Sequence, residues 1–498
     1  MITGQWGSWL GFLGFLHLLV FLVVAYHCLQ NRRPATSALL WIFVAWAFPV
    51  VGALFYLAFG INRLPVKGWL KHEADQKLLS ERQKIEEGEA PELVYWRAVH
   101  NRFMTEPPTD FGKTLNTAMD ASLKEYPLLG GNDVKPLLNG DEAYPAMLDA
   151  IRKAEHHIHL VSFIIRNDES GRNFMEALAS KAREGCEIRL IFDRFGSSAA
   201  VFSGFFRKYR SVPNFEIVSW TQANLLKRQL QYNLRNHRKI LVVDGKKAFI
   251  GGINISDSNV TRGKTPPFED FHFKVSGPVV QELQYTFLRD WHFMTRQSAA
   301  KLLHQRFFPE LPAVGSGSVR IINSGPTTGE MKIISDIVFS SIVSARCDIV
   351  AVTPYFVPGD DLLQAIRTAA LRGVRTRLIV PEKNNHTIAG WAARARYQDL
   401  LEAGVEIYER RPPLIHAKAL IIDDEVALIG TANLDERSLR LNYETNLAVY
   451  EQKFIAELKQ LLIYELSQSN SICLATWLQR PRQQRILENF CNLFSPVL

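Results

Sequence analysis

The same spaced pattern of histidine, lysine and aspartate occurs twice in this chain, and this repetition constrains the fold more than any other feature. The pattern H-x-K-x4-D is formed first by His237, Lys239 and Asp244, and again by His416, Lys418 and Asp423. A glycine-led segment that ends in asparagine follows each copy at the same distance, at Asn254 and at Asn433. Ordinary residue usage does not produce this by chance. The chain therefore contains an internal duplication, and each copy brings one histidine.

Alternating helix and strand patterns surround both copies. The first half predicts helices over residues 142–155 and 171–184 and strands over 157–165 and 186–192. The second half predicts helices over 330–345 and 360–371 and strands over 348–355 and 375–380. Such β-α-β alternation implies parallel strands covered by helices. We expect an α/β fold of two similar halves, neither of which stands alone, with the histidines facing each other across a pseudo-twofold axis.

The N-terminal region predicts a membrane hairpin. Residues 9–29 and 37–59 contain no Lys, Arg, Asp or Glu, and each run can cross a hydrocarbon layer of about 30 Å as a helix. Arg32, Arg33 and Pro34 lie in the loop between them. The alternative is a signal peptide followed by a buried helix. It is disfavoured because no basic residue precedes the first run and no cleavage site follows it.

The distribution of basic residues predicts the orientation of this hairpin. Two arginines lie in the loop, and more basic residues follow the second run: Arg63, Lys67, Lys71 and Lys77. Positive charge accumulates on the cytoplasmic side of membrane segments. We therefore expect the large domain on the cytoplasmic side of a bacterial inner membrane, in a multi-pass protein.

The patterns divide the chain into six predicted regions. These are a transmembrane hairpin at 1–62, a juxtamembrane connector at 63–130, a first domain at 131–300, a linker at 301–317, a second domain at 318–450, and a C-terminal helix with an amphipathic tail at 451–498. The tail alternates arginines with apolar residues. It suits a bilayer interface or a helix packed on the domain, and its sequence does not choose between them.

Composition limits the classes of partner and cofactor. The net charge of +8 suits a polyanionic partner, which could be nucleic acid or an anionic bilayer. The five cysteines have no C-x-x-C spacing, which argues against a disulfide scaffold and a zinc site. The sequence also has no H-E-x-x-H and no phosphate-binding P-loop. We expect no metal and no cofactor.

The spacing within each copy is suited to phosphate chemistry. A strand predicted over 237–243 puts His237 and Lys239 on one face, because residues two apart on a strand point the same way. His416 and Lys418 repeat this arrangement. An imidazole beside a fixed positive charge can attack a phosphorus atom and hold its non-bridging oxygens.

Other polar residues near each copy have separate expected roles. Asp244 and Asp423 belong to the catalytic pattern, but each falls at a hairpin turn, which predicts a structural role. Asn254 and Asn433 are the expected donors to phosphate. Asp270 and Glu444, downstream of the first and second copies, are candidates for the carboxylate that orients a histidine. A further set is interpreted as salt-bridge scaffolding: Asp257, Asp435 and Arg437.

These features resemble the phospholipase D superfamily, and more closely its bacterial cardiolipin synthases. The resemblance extends from the first apolar run to the C-terminus and includes the duplicated H-x-K-x4-D pattern and three further segments: Ser324–Pro326, Thr353–Pro358 and Leu441–Glu444. It implies two phospholipase D-like α/β sandwich halves behind a two-helix transmembrane hairpin. The chain departs from the family's usual Gly-Ser, because it has Gly251-Gly252 in the first copy and Gly430-Thr431 in the second. The first copy therefore lacks a hydroxyl that we expect near the phosphate.

The resemblance also implies a reaction in which two phosphatidylglycerols give cardiolipin and glycerol through a phosphohistidine. His237 would be the nucleophile and His416 the acid and base, while the lysines and asparagines hold the phosphoryl oxygens. The implied partners are these lipids and the bilayer, without nucleic acid. The oligomeric state, the donor lipid (phosphatidylglycerol or phosphatidylethanolamine) and the identity of the nucleophile stay open. Hydrolysis through the same intermediate and a non-enzymatic lipid-binding scaffold are the alternatives.

Overall fold

A computed structural model describes residues 2–31, 35–60, 64–86, 95–123, 125–220, 235–262, 266–327 and 330–495. The chain forms two compact units, Met1–Lys67 and Gly68–Leu498. The predicted loop residues Arg32, Arg33 and Pro34, and the predicted topology residue Arg63, lie outside the described part of the chain.

The first unit is helical and apolar. Its helices are α1 (Ile2–Gln30), α2 (Ala35–Ala47) and α3 (Val51–Phe55), and a π-helical turn follows at Tyr56–Gly60. Within the described residues one helix is long and apolar enough to cross a membrane, over Phe12–Gln30. The helix predicted over the first apolar run is confirmed, and its crossing of a membrane stays a prediction.

The predicted second span is not one continuous helix. Pro49 has no N–H to donate and its ring clashes with the preceding turn, so α2 ends at Ala47 and the chain turns through Val50 at a φ of 64°. His17 Nε2 lies 3.0 Å from the carbonyl oxygen of Trp46 and donates to it at this break. The prediction of an unbroken helix over residues 37–59 is therefore wrong.

The second unit is an α/β structure built on one long mixed sheet. The strands of its first half are β1 (Leu129–Leu138), β2 (His157–Ser162), β3 (Glu187–Phe192), β4 (Phe215–Ser219), β5 (Ile240–Val243), β6 (Lys247–Gly251) and β7 (Phe271–Ser276). Those of its second half are β8 (Gly317–Ser324), β9 (Asp348–Val352), β10 (Phe356–Val357), β11 (Arg375–Pro381), β12 (Glu406–Arg410), β13 (Ala419–Ile422), β14 (Val426–Gly430), β15 (Leu434–Asp435), β16 (Glu444–Val449) and β17 (Ser469–Ser471).

The order of strands in this sheet displays the duplication. From β1 outwards the first half runs β1-β7-β6-β5-β2-β3-β4, and from β8 outwards the second half runs β8-β16-β14-β13-β9-β11-β12, with β17 at the edge. Each of the seven strands of the first half has its counterpart at the same place in the second half, in which β10 and β15 also form a separate two-stranded sheet. β1 and β8 pair antiparallel at the junction. The predicted α/β fold of two pseudo-twofold halves is confirmed.

Helices cover this sheet. The helices that precede or belong to the first half are α4 (Leu64–Glu86), α5 (Tyr95–Phe103), α6 (Asp110–Ser122), α7 (Asn139–Arg152), α8 (Glu169–Arg183), α9 (Ser198–Phe202), α10 (Val280–Thr295) and α11 (Ala299–Leu302). Those of the second half are α12 (Ile333–Ser344), α13 (Asp360–Leu371), α14 (Thr387–Ala395), α15 (Tyr397–Glu402), α16 (Glu436–Arg440), α17 (Gln452–Ser467), α18 (Leu474–Leu478) and α19 (Arg482–Asn492). Each half contains its own apolar core between helices and sheet.

Local signals explain these boundaries. Asp168 caps α8 by accepting a hydrogen bond from Gly171 N at 2.9 Å, and Gly185 ends it at a φ of 98°. The four predicted helices match α7, α8, α12 and α13 to within a few residues. The tail helix α19 packs against α14, yet Ile486 and Phe490 on it are exposed. The six predicted domain boundaries stay predictions.

Candidate active site

Both histidines of the duplicated pattern line one cavity of about 710 Å³ between the halves. His237 and His416 are mostly buried, and Asn254 and Asn433 line the same cavity. The strands β5 and β13 begin after Lys239 and Lys418, so the predicted strand over 237–243 is too long at its start. The reason is that the residues just before β5 and β13 do not pair with the strands of their own half, because their backbone pairs with the opposite half.

The pairing across the halves is symmetrical. His237 N donates to the carbonyl oxygen of Tyr443 at 3.0 Å, and His416 N donates to that of Glu269 at 2.6 Å. Tyr443 and Glu269 immediately precede Glu444 and Asp270. This backbone pairing therefore places each carboxylate beside the histidine of the other half.

Each histidine is oriented by that carboxylate. His237 Nδ1 lies 2.9 Å from Oε1 of Glu444, and His416 Nδ1 lies 2.6 Å from Oδ2 of Asp270. Both carboxylates are fully buried. Because an ionised carboxylate only accepts hydrogen bonds, Nδ1 of each ring donates, and Nε2 is left with a lone pair. Each candidate carboxylate thus lies against the histidine of the other copy.

The two lysines lie beside the rings and not in the cavity lining. Lys239 Nζ donates to the carbonyl oxygen of His237 at 2.7 Å. Lys418 Nζ donates to that of His416 and lies 3.5 Å from Nε2 of the same ring. Lys418 Nζ is closer to Nδ1 of that ring, at 3.0 Å, and less than a twentieth of either lysine is exposed.

Burial sets the protonation states of these groups. It lowers the pKa of His416 to about 4, with a further lowering from the Lys418 charge, against the opposing effect of Asp270. Burial also lowers the pKa of His237, although Glu444 opposes this. Burial lowers the pKa of Lys239 to about 7. At neutral pH both rings are unprotonated, as a nucleophile requires.

The two asparagines differ in their contacts. Asn254 Oδ1 accepts a hydrogen bond from Ile164 N at 3.1 Å, which leaves its NH2 group to donate. Asn433 Nδ2 donates to Ser438 Oγ at 3.2 Å, and its buried Oδ1 has no hydrogen-bond partner in the described chain. The expected role of both as phosphate donors stays a prediction.

The aspartates of the duplicated pattern do not line the cavity, which agrees with the structural role that their position at a turn predicts, and their place among the catalytic residues stays a prediction. Asp244 accepts hydrogen bonds from the backbone N–H of Glu155, His156 and His157 at 2.8–2.9 Å. In the second half, Asp423 accepts from three consecutive backbone N–H groups of that same half, those of Arg346, Cys347 and Asp348. Asp244 and Asp423 both have a φ of 53°, as the first residue of a tight hairpin requires. Both residues anchor the turn to the start of a neighbouring strand.

The hydroxyl difference between the copies affects a carboxylate and not the cavity. Thr431 Oγ1 donates to Oε2 of Glu444 at 2.6 Å. At the matching position, a Cβ on Gly252 would lie 2.1 Å from Oδ1 of Asp270. The expectation of a hydroxyl near the phosphate is therefore wrong. The hydroxyl supports the carboxylate behind His237, and Gly252 makes room for the one behind His416.

Several lining residues were not predicted from the sequence. They are Phe163, Arg166, Arg235, Tyr355, Asn385 and His386. Tyr355 lies in the Thr353–Pro358 segment, whose resemblance to the family was a signal without an assigned role. The scaffolding interpretation is confirmed for Asp257, which pairs with Arg262 at 3.1 Å. It is wrong for Arg437, which lines the cavity and has no ion pair in the described part of the chain.

Comparisons with known proteins agree with this site. The family described as cardiolipin synthase, phospholipase D-like domain, matches residues 147–291 and 338–464. The family of phospholipase D-nuclease N-terminal segments matches residues 19–60, which associates the first unit with a membrane. The matched ranges include both histidines and both orienting carboxylates.

Relatives match almost the whole chain. A cardiolipin synthase from Alkalihalophilus pseudofirmus is 36% identical over 479 residues, which cover 94% of this chain and 90% of that protein. One from Geobacillus kaustophilus is 34% identical, covering 96% and 92%. The phosphatidylserine synthase of Haemophilus influenzae has the same fold, with a TM-score of 0.59 at 16% identity over 77% of this chain and 100% of that one. The chain belongs to the cardiolipin synthase family, whose domains are phospholipase D-like.

Proposed function

We propose that this protein is a cardiolipin synthase, which transfers a phosphatidyl group from one phosphatidylglycerol to another and releases glycerol. The observation that carries the proposal is the pair of imidazoles, each fixed by a buried carboxylate, on one cavity. A reaction in two displacements needs one group to attack and another to transfer protons. The names of the relatives supply the substrate class.

In the first displacement, Nε2 of His237 attacks the phosphorus of the donor lipid. A P–N bond forms, the P–O bond to glycerol breaks, and His416 gives a proton to the departing oxygen. In the second, His416 takes the proton of a glycerol hydroxyl on the acceptor lipid, whose oxygen displaces His237. His237 is regenerated, and His416 regains in the second displacement the proton that it gave away in the first.

The electrostatics of the site support these roles. The pKa of His416 is about 4 in the empty cavity, so the resting ring holds no proton at neutral pH. An anionic phosphodiester supplies the negative charge that the cavity lacks and raises this pKa, which favours protonation when the donor is bound. Lys418, at 3.5 Å from His416 Nε2, is within reach of oxygens on a phosphorus between the rings.

The assignment of His237 as nucleophile also draws on its surroundings. Glu444, which holds His237, accepts a second hydrogen bond from Thr431. Asn442 Nδ2 donates to Glu444 as well, at 3.4 Å. Asp270 accepts from His416 and from the backbone N–H of Phe271, and in the described chain no second side chain donates to it. The carboxylate with more side-chain donors holds its ring more firmly and stabilises the charge on a phosphohistidine.

The decisive experiment is product analysis with the full-length protein in phosphatidylglycerol vesicles. Wild type should give cardiolipin and glycerol, whereas a hydrolase would give phosphatidic acid. His237→Ala and His416→Ala should each abolish cardiolipin formation while the protein still inserts into the membrane. Normal turnover by either variant would contradict the two-histidine mechanism.

We further propose that residues 9–59 form a two-span anchor, with the large domain on the cytoplasmic side. The apolar helix over Phe12–Gln30 and the basic residues that follow the hairpin support this. One of those basic residues, Lys71, is buried in ion pairs and therefore adds little to the positive charge that sets the orientation. Labelling of Cys347, which is exposed, by an impermeant maleimide in intact and inverted vesicles tests the orientation.

A further inference from the structure

Three arginines that the proposed chemistry does not use line the same cavity, Arg166, Arg235 and Arg437, and the last two have buried donors without a partner among the described residues. Arg235 comes from the first half, two residues before His237, and Arg437 comes from the second half, four residues after Asn433. The two halves thus contribute one of these arginines each to the cavity lining. The ring of Phe195 stacks under Arg235, with 3.7 Å from the guanidinium carbon to the ring centre.

Among the described residues, the guanidinium groups of Arg235 and Arg437 each have at least one buried donor without a hydrogen-bond partner. Nε of Arg235 is buried without a hydrogen-bond partner, and so are Nε and Nη2 of Arg437, as far as the described chain extends. A buried unpaired donor costs about 1–3 kcal/mol, and more when it is charged. Such unpaired donors are retained at a site where a bound ligand accepts their hydrogen bonds.

The two charges also oppose each other. Burial lowers the pKa of Arg235 to about 10, and the Arg437 charge lowers it further. Burial likewise lowers the pKa of Arg437. Two cations held together with free N–H groups form a site for an anion, and a guanidinium binds two oxygens of a phosphodiester at once.

The nearby carboxylates are already engaged. Asp193 accepts hydrogen bonds from the backbone N–H of Phe195, Gly196 and Asn236 at 2.9–3.1 Å. Asp435 accepts one from Ser438 N at 2.7 Å, and burial raises its pKa to about 6. They offset part of the arginine charge at a distance but leave the N–H groups free.

We propose that Arg235 and Arg437 bind a second phosphodiester, that of the acceptor lipid, while the histidines and lysines hold the reacting one. This inference rests on the proposed function, in which two lipids, each with one phosphate, meet in one cavity. The product joins those phosphates through a single glycerol. A second anion site beside the reacting phosphorus therefore brings the acceptor hydroxyl to the phosphohistidine and favours it over water.

The test compares two acceptors with the full-length enzyme in lipid nanodiscs. Cardiolipin formation uses an acceptor with a phosphate, whereas exchange of labelled glycerol into phosphatidylglycerol uses an acceptor without one. Arg437→Met and Arg235→Met should each lower cardiolipin formation at least tenfold and increase the share of phosphatidic acid. Glycerol exchange should stay within about threefold of wild type.

Control variants separate binding from folding. Arg367→Met, at a half-buried site of the second half outside the cavity lining, should leave both reactions unchanged. Arg437→Met should not lower the Tm, because it removes an unpaired buried charge, and Arg437→Lys should recover part of the cardiolipin activity. Equal losses of both reactions, or no loss of cardiolipin formation, would overturn the proposal. If wild type itself performed neither reaction, the proposed function would be wrong instead.

Discussion

Glu444 of the second half holds the imidazole of His237 in the first half, with 2.9 Å between Oε1 and Nδ1. Asp270 and His416 repeat this relationship in the opposite direction. Each half therefore supplies a histidine that it cannot orient by itself. The duplication produces an active site only when both halves are present in the same fold.

We predict that Glu444→Gln and Asp270→Asn both lower kcat by roughly 10³-fold or more. An amide can donate to Nδ1, which favours the tautomer with the proton on Nε2 and removes the nucleophilic lone pair. The measurement is the initial rate of cardiolipin formation in vesicles. Glu406→Gln, on β12 and outside the cavity lining, is the control and should keep full activity.

Positions 431 and 252 contact these two carboxylates, and a hydroxyl should favour activity at the first and lower it at the second. Thr431→Ala removes the donor to Glu444 and should lower kcat about tenfold, while Thr431→Ser should retain most of the activity. Gly252→Ser introduces a Cβ at 2.1 Å from Asp270 Oδ1, so that Asp270 must leave His416. We expect its kcat to fall more than that of Thr431→Ala. An active Gly252→Ser enzyme would show that Asp270 can move without losing its function.

The anchoring aspartates should affect stability and not chemistry. Asp244→Asn loses the charge that accepts three backbone N–H groups, at an expected cost of roughly 2–3 kcal/mol in the free energy of unfolding. Asparagine tolerates the positive φ, so the backbone is not strained. The Tm should fall, and kcat per folded molecule should stay near wild type. Asp424→Asn, at a more exposed turn position paired with Lys459, should cost less than about 1 kcal/mol.

The same aspartate makes stability depend on pH. Backbone N–H groups hold the pKa of Asp244 below its ordinary value of 3.8, although burial opposes them. A carboxyl with a lowered pKa stabilises the fold above pH 3.8, and this contribution disappears as the pH falls towards the folded-state pKa. Acid unfolding should therefore be less steep in Asp244→Asn than in wild type.

We predict that kcat/KM falls as the pH rises through about 7. Lys239 has a pKa of about 7 in the free enzyme and must be charged to stabilise phosphoryl oxygens. The lipid phosphodiester stays a monoanion across this range, so the change belongs to the enzyme. Lys239→Arg keeps its charge and should move the decline to higher pH, at a lower overall rate. An unchanged profile in this variant would assign the decline to another group.

Much of this arrangement was predictable from local sequence. The spacing of His237 and His416 indicated two similar halves and one shared site, and hydrophobic patterns placed strands and helices to within a few residues. The exchange of carboxylates was not predictable, because it depends on Tyr443 pairing with the segment before His237. The break at Pro49 depends on whether the packing of the surrounding helices offsets the backbone hydrogen bond that proline cannot make. The apolar run alone does not show which of the two effects is larger. The unpaired state of Arg437 is visible only once every neighbour is placed.

The final prediction concerns a buried charge cluster behind the first histidine. Asp290 is fully buried and contacts Arg238 Nη1 at 2.7 Å, Asn236 Nδ2 at 2.7 Å and Lys71 Nζ at 3.3 Å. Arg238 lies between His237 and Lys239, so the cluster fixes the catalytic segment to α10 and α4. Asp290→Asn leaves Arg238 without its counter-charge, whereas Lys71 keeps Asp75 at 2.7 Å, and the change should cost roughly 3–5 kcal/mol.

A double-mutant cycle distinguishes this from simple loss of packing. Arg238→Met combined with Asp290→Asn removes one charge of each sign and should be less destabilising than the sum of the two single changes by at least about 1 kcal/mol. Amide exchange at residues 236–243 should be faster in Asp290→Asn than in wild type, and kcat should fall with it, because His237 is no longer held in place. Strict additivity, with unchanged exchange, would mean that the cluster stabilises the fold without positioning the histidine.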